Sequence, residues 1–338
     1  VACAKFLKST LETFSPDVLK MVTVPRSRGK SDSAYVWASW GTPKLVLNVH
    51  IDTVPVADGW ITDPHVLTRK DTLLHGLGSS DIKGAAACIL AALEVCTPKD
   101  AAILFSGDEE HGSEVMPAVI QSGILSDTKR AIVCEPTNCE VGRRHRGMLA
   151  FSTEFSGRGG HSSLADITER PLLDAARLAS AVGDYGDTFK DFGTDPYKGL
   201  CTNIGLIKSD GAYNVIPTQT SLKFSMRPPP GDDVRARRDA VQAIYDGFGF
   251  DGALDVLVEL LPFETRNIEA MSPYFKGIKI VDLPYWTEAA LMSEAGINAV
   301  VFGPGDVDQA HKPNEHVPIE HLEIAAEVYR QAIERGAV

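Results

Sequence analysis

The segment Leu45 to Pro55, LVLNVHIDTVP, constrains the fold more than any other stretch of the chain. Its apolar opening suits a buried strand, and it ends by presenting His50 and Asp52 two residues apart. At the two-residue period of a strand, that imidazole and that carboxylate project from the same face. A ring nitrogen beside a carboxylate able to accept the other ring N–H is what a metal site needs, because the carboxylate selects the tautomer. Such a pair at a strand end predicts further ligands downstream.

The following segments repeat this organisation. Ala101 to Ser106 and Ala131 to Cys134 are short apolar runs of strand length, and the Ala-rich stretch Ala85 to Val95 has strong helix propensity. Acidic groups follow the strand-like runs: Asp108-Glu109-Glu110 after Ser106, and Glu135 after Cys134, while Asp81 precedes the helix. This alternation predicts an α/β sheet whose functional side chains gather at the carboxyl ends of its strands.

His50, Asp81, Glu109, Glu110, Glu135 and His311 fall at such positions. Taken singly, each has an ordinary explanation: an Asp opening a helix is most often an N-cap, and a Glu pair is most often a solvated face. Together, carboxylates at the ends of buried strands would repel one another and suffer desolvation unless cations neutralise them. Two divalent metals are therefore expected. Two His and several carboxylates with no cysteine cluster suit Zn, Co or Mn. Neighbouring side chains in a turn diverge, so one of Glu109 and Glu110 can bind metal while the other serves as base.

The 338-residue length predicts two domains, or one with a large insertion. Apolar residues from Ala2 to Lys20 recur at helical spacing, with a break at Ser15-Pro16. The character changes near Arg146. Met148 to Ser156, Pro171 to Ala181, Cys201 to Ile207, Thr220 to Met226, Val234 to Tyr245 and Leu254 to Leu260 then read as strand, helix, strand, strand, helix, strand, the order of a ferredoxin-like sandwich. The expected division is a catalytic domain in two parts, 1–146 and 261–338, around an inserted domain, 147–260. In the second part Trp286 to Ala295 reads as a helix, Ala299 to Phe302 as a strand and His321 to Arg335 as a closing helix.

A formal net charge of -12 argues against nucleic acid as a partner, because phosphate binding needs clustered Lys and Arg. Against that background the run Arg143, Arg144, His145, Arg146 is expected to meet a carboxylate or a domain interface. No window is apolar enough to span a membrane and no leader pattern is visible, so a cytoplasmic enzyme is expected. The chain starts at Val1 rather than Met, which suggests that a few residues precede it. The six cysteines form no C-x-x-C pair and are expected as buried free thiols. His65, His75, His111 and His145 are expected on loops or the surface. Gly76 and Gly78 do not complete a dinucleotide fingerprint, because Gly84 comes too late.

The motifs HIDTVP (50–55), GLGSSDIKGAAA (76–87), GDEEHGS (107–113), CEPT (134–137), GRGGHSS (157–163), NVIP (214–217) and GPGDVDQAHKPNEHV (303–317) resemble, in order, the di-zinc deacylase family. That family includes acetylornithine deacetylase, succinyl-diaminopimelate desuccinylase, aminoacylases and glutamate-type carboxypeptidases. The resemblance implies an aminopeptidase-like di-metal domain carrying an inserted lid or dimerisation domain, with two divalent ions as cofactors, Zn or alternatively Co. It implies that Asp81 bridges the metals, His50 and Glu135 complete one, and Glu110 and His311 complete the other. Glu109 is then the general base, Asp52 orients His50, and His161 stabilises the oxyanion, in family dimers from the neighbouring subunit. Asn214 and Arg227 resemble residues that hold a substrate carboxylate, and YWTEA (285–289) places Thr287 and Glu288 among substrate-binding positions. Without the resemblance, His161 fits a turn histidine, Asn214 a turn cap and Arg227 a strand-end ion pair. The implied substrate is a small N-acyl amino acid, acetylornithine or acetylcitrulline, in arginine biosynthesis; desuccinylation or dipeptide cleavage is the alternative. A homodimer through the inserted domain is also implied.

Overall fold

The computed structural model describes residues 1–27 and 31–336. The chain divides into two units: Val1–Arg144 with Thr265–Leu283 and Thr287–Val338, and His145–Glu264 with Pro284–Trp286.

The first unit is a mixed sheet with helices. Its strands lie in the order Val18–Val24, Ser33–Trp40, Ala101–Ser106, Leu45–His50, Arg130–Val133, Asn298–Val301 and Val141–His145, with Ile280–Asp282 beside the last. The four strands Ala101–Ser106, Leu45–His50, Arg130–Val133 and Asn298–Val301 run parallel. Every residue of Leu45–His50 and of Ala101–Ser106 is buried, as expected for parallel strands covered on both faces. The register pairs His50 with Ser106 and Asn48 with Val133, so these strands end side by side. Helices Lys83–Val95 and Ile319–Arg335 pack together, and their buried faces join the strands in one core with Ile89, Ile103, Val300 and Tyr329. A smaller sheet, Thr68–Lys70, Leu73–His75 and His316–Pro318, completes the unit.

Two local expectations change. The first helix covers only Ala2–Glu12; beyond the Ser15-Pro16 break the chain becomes the strand Val18–Val24, whose backbone pairs with Ser33–Trp40. The expected helix from Trp286 is reduced to Ala289–Glu294 because Pro284–Trp286 belongs to the second unit, where Trp286 Nε1 donates to the Leu261 carbonyl at 3.0 Å. The arginine run meets a carboxylate, as expected, from the strand Val141–His145. Its Arg144 donates to Asp282 from Nε at 2.8 Å and from Nη2 at 3.0 Å, and Arg143 Nε adds a bond at 2.9 Å.

The second unit is an antiparallel sheet in the order Thr202–Ser209, Gln219–Met226, Met148–Ser156, Leu254–Leu260, with helices Pro171–Asp187 and Val234–Phe248 packed on it. Alternate residues of Gln219–Met226 are buried, so one face meets the helices. Leu178, Val182, Phe151, Phe224 and Val241 form that core, with the Phe151 and Phe224 rings stacked 5.0 Å apart. Asp233 caps the second helix by accepting the Ala236 N–H at 3.1 Å, and Gly249 at φ 65° ends it. No helix among the described residues is long and apolar enough to cross a membrane.

Candidate metal centre

The parallel strands deliver the chemistry to one edge of the first unit. His50 is the last residue of its strand and is buried. Its Nδ1 lies 3.0 Å from the Asp52 backbone carbonyl, to which the Nδ1–H donates. Nε2 is then the atom that faces the acids, 2.8 Å from Asp81 Oδ1 and 3.8 Å from Glu135 Oε2. The other oxygen of Asp81, Oδ2, lies 3.5 Å from His311 Nε2. His311 Nε2 also lies 3.1 Å from each oxygen of Glu110. Asp81 thus presents one oxygen to each of two imidazoles, with Glu135 beside the first and Glu110 beside the second.

Electrostatics explains why this arrangement calls for cations. Burial pushes the Glu135 and Glu110 carboxyls above their usual range. Burial also pushes Glu109 up to about 8, with Glu288, Glu110 and Asp81 adding repulsion and His50 opposing it. His50 itself is driven down by burial, but Glu135, Asp52 and Asp81 outweigh this and hold it well above an ordinary histidine. For Asp81 burial is again outweighed, here by the bonds from His311 and His50, and its carboxyl is held low. Ligand atoms of His50, Asp81 and Glu110 lie within 4.8 Å of one another. This hard, oxygen-rich and imidazole-containing donor set fits divalent metals.

The base expected at Glu109 sits in a short 3₁₀ turn, Glu109–His111, next to Glu110. Among the described residues its carboxylate takes no hydrogen bond, whereas Glu110 faces His311. The two adjacent glutamates therefore differ in their surroundings. Asp52 departs from expectation. The strand ends at His50, so the alternation that would aim the Asp52 carboxylate at the ring no longer applies. Its nearest oxygen is 3.6 Å from His50 Nδ1. Its two oxygens instead accept the backbone N–H groups of Glu109 and Glu110, each at 3.2 Å, which are free donors at the start of a turn. Asp52 holds His50 through its carbonyl and the glutamate turn through its carboxylate.

Other supports went unrecognised in the sequence. Glu315 is buried, and its carboxylate accepts the backbone N–H groups of Gly78 at 2.7 Å and of Ser80 and Asp81 at 2.8 Å each. An acid beside the expected ligand His311, at the mouth of a strand, was the available signal. Asp108, at φ 76°, forms a salt bridge with Arg26 and accepts the Glu114 N–H at 3.1 Å, fixing the other end of the glutamate turn. Gly305, at φ 90°, lets its loop close on Ser80, since a Cβ there would fall 2.1 Å from Ser80 Oγ.

Thr287 and Glu288 were expected to touch substrate, and the structure places both at 0% exposure. The Glu288 carboxylate is taken up by Asn48 Nδ2 at 2.8 Å, Ser106 Oγ at 2.7 Å and Ser113 Oγ at 3.0 Å. These bonds make it a support beneath the site. One histidine departs from the surface expectation: His145 is fully buried, with its ring 5.3 Å from that of Phe263. His111 is exposed as expected, and its Nδ1 lies 3.5 Å from Asp52 Oδ2.

His161, Asn214 and Arg227 belong to the second unit. His161 is exposed and pairs through its strand with Val215, next to Asn214. The Asn214 carbonyl accepts the Ser162 N–H at 3.1 Å. His161 Nδ1 accepts the Ser163 N–H at 3.2 Å, which leaves Nε2–H as a donor in the neutral ring. Arg227 is exposed at the end of the strand Gln219–Met226.

The model of peptidase family M20/M25/M40 matches residues 46–335. N-acetyl-L-citrulline deacetylase of Xanthomonas campestris is 35% identical over 306 residues, covering 85% of this chain and 81% of the relative. Acetylornithine deacetylase of Myxococcus xanthus is 31% identical, covering 87% and 80% respectively. Among solved structures, the YXEP protein of Bacillus subtilis, described as a dinuclear metal-binding peptidase of the M20 family, superposes with a TM-score of 0.65 at 15% identity. That superposition covers all of this chain and 93% of the other.

Glu315→Ala leaves three buried N–H donors unpaired around Asp81 and is expected to lower stability by about 2–5 kcal/mol. Chemical denaturation checks this, and Glu315→Gln, which keeps two of the three acceptor contacts, is expected to fall between Ala and wild type.

Proposed function

The chain belongs to peptidase family M20/M25/M40, a family of hydrolases, and on that premise we propose that it removes an acetyl group from the Nα of acetylcitrulline or acetylornithine. The observation that carries the reading is the division of labour around Asp81: two imidazoles and two acids gathered on its two oxygens, with the partly buried Glu109 beside them and, among the described residues, committed to no partner. The relatives at 35% and 31% identity supply the substrate class.

His50, Asp81 and Glu135 are assigned to one divalent ion, and Asp81, Glu110 and His311 to a second, with Zn as the first choice and Co the alternative. When bound, such ions polarise the acyl carbonyl and acidify water. The protein's own groups do the remaining work. Glu109 takes the proton of the attacking water and hands it to the leaving amine as the C–N bond breaks. The turn held by Asp52 and Asp108 keeps Glu109 apart from Glu110, so the base is not drawn into the ligand set.

His161 is assigned to the oxyanion through Nε2–H, from its own chain or from a second copy. Asn214 and Arg227 are assigned to the substrate carboxylate, for which a guanidinium fork is suited. The inserted unit is read as the lid and dimerisation element. Its edge strand Thr202–Ser209 exposes Ile204, Leu206 and Ile207, and an unpaired apolar edge favours a second copy. In this reading the enzyme serves arginine biosynthesis.

Glu109→Gln is expected to lower turnover by a factor of about 100 to 10,000 while metal content stays at the wild-type level. Turnover within a few-fold of wild type contradicts the assignment of the base. A panel of acetylcitrulline, acetylornithine, succinyl-diaminopimelate and a simple dipeptide, assayed on metal-loaded protein, tests the substrate. The highest kcat/KM is expected for one of the two acetylated amino acids, and a preference for either other compound replaces the proposal.

A further inference from the structure

The opposite edge of the same sheet carries a second concentration of charge. Three parallel strands begin there side by side, with Arg130 in register with both Leu45 and Asn298. The Lys44 carbonyl accepts the N–H groups of Lys129 at 2.9 Å and Arg130 at 3.0 Å, and the Lys129 carbonyl accepts that of Asn298 at 3.0 Å. These bonds place Lys44, Lys129 and Arg130 in one rigid row. Arg266 joins them from the loop before the short helix Glu269–Tyr274. With Asn267 and Asn298, the four cations line a concave pocket of about 350 Å³.

The charge of this pocket is poorly compensated. Lys44 Nζ lies 3.4 Å from Asp127 Oδ1, a solvent-exposed pair of the kind that contributes little. Lys129, Arg130 and Arg266 meet no carboxylate within 4 Å among the described residues. Each guanidinium is nevertheless held in place by a neutral acceptor. Arg130 Nη1 donates to the Tyr274 hydroxyl at 3.4 Å, and Arg266 Nη2 donates to the Ser293 carbonyl at 2.7 Å. One nitrogen of each fork is thereby tethered, and the remaining donors are left for a ligand. In a chain of net charge -12, four cations gathered around a single exposed acid make a local field that favours anions.

We propose that this pocket binds a small polyanion carrying a diphosphate group, either free or on a nucleoside. Two guanidinium forks can each take a pair of phosphate oxygens, and the two ammonium groups add charge without directional demand. The pocket volume is at the small end of ligand sites, which run from about 300 to 1,000 Å³. That size suits a diphosphate. The strand from Leu45 to His50 separates the pocket from the metal centre by about 17–20 Å, so the two sites are distinct.

Calorimetry of metal-loaded protein with pyrophosphate, and separately with ADP, at fixed ionic strength tests the site. Saturable binding of at least one of them is expected. The affinity should be unchanged in His50→Ala, which removes a metal ligand and so controls for chelation at the catalytic centre. It should fall by about tenfold or more in Lys129→Glu/Arg266→Glu, which loses two cations and gains two acids. That variant is expected to keep wild-type deacetylase turnover, and if it does not fold, Lys129→Ala alone is expected to weaken binding by roughly threefold. Binding of pyrophosphate but not ADP identifies the free diphosphate as the ligand, and binding of both admits the nucleotide. Absence of saturable binding, equal affinity in the charge-reversed variant, or loss of binding in His50→Ala overturns the proposal.

Discussion

The mutual repulsion of buried acids at the carboxyl ends of a parallel sheet is the constraint on which the rest of this structure depends. Asp81, Glu109, Glu110 and Glu135 are drawn into one small region, where among the described residues His50 and His311 supply the opposing charge. Burial pushes the Glu109, Glu110 and Glu135 carboxyls upward, because their charged forms lose water and repel one another. A sheet that gathers such groups is built for divalent cations, and the di-metal chemistry proposed for the chain follows from that imbalance.

A second set of carboxylates maintains the first. Glu315 gathers three backbone N–H groups of the Asp81 loop, Asp52 gathers two from the glutamate turn, and Asp108 joins Arg26 to the far end of that turn. Glu288 ties Asn48, Ser106 and Ser113 together beneath them. Each of these acids is satisfied by nearby donors. The acids proposed as ligands are left facing one another, and they differ from the supporting carboxylates in their donors rather than in residue type.

Much of this was legible in the chain, for physical reasons that can be named. Leu45–His50 and Ala101–Ser106 are continuous apolar runs because both faces of a parallel strand are covered, so the strand ends could be located and the acids beyond them noticed. The order of elements in the inserted segment was readable because Met148–Ser156 and Gln219–Met226 alternate strongly. What stayed hidden depended on contacts distant in sequence. Glu315 and the Asp81 loop are more than 230 residues apart, and nothing local in NEHV announces three backbone partners. Glu288 looked like a substrate contact because its motif lies among ligand motifs, although its partners Asn48 and Ser113 bury it. Asp52 was readable as a neighbour of the His50 ring, whereas its hold on the glutamate turn depends on a contact more than 50 residues away.

The central claim is that Asp81 stands between two metal sites. Its most direct test is metal content by mass spectrometry after reconstitution with Zn, in wild type, His311→Ala and Asp81→Asn. Two ions per chain in wild type, one in His311→Ala and none retained in Asp81→Asn is the result this account predicts. A single ion in wild type, or two ions retained without the Asp81 carboxylate, would contradict it.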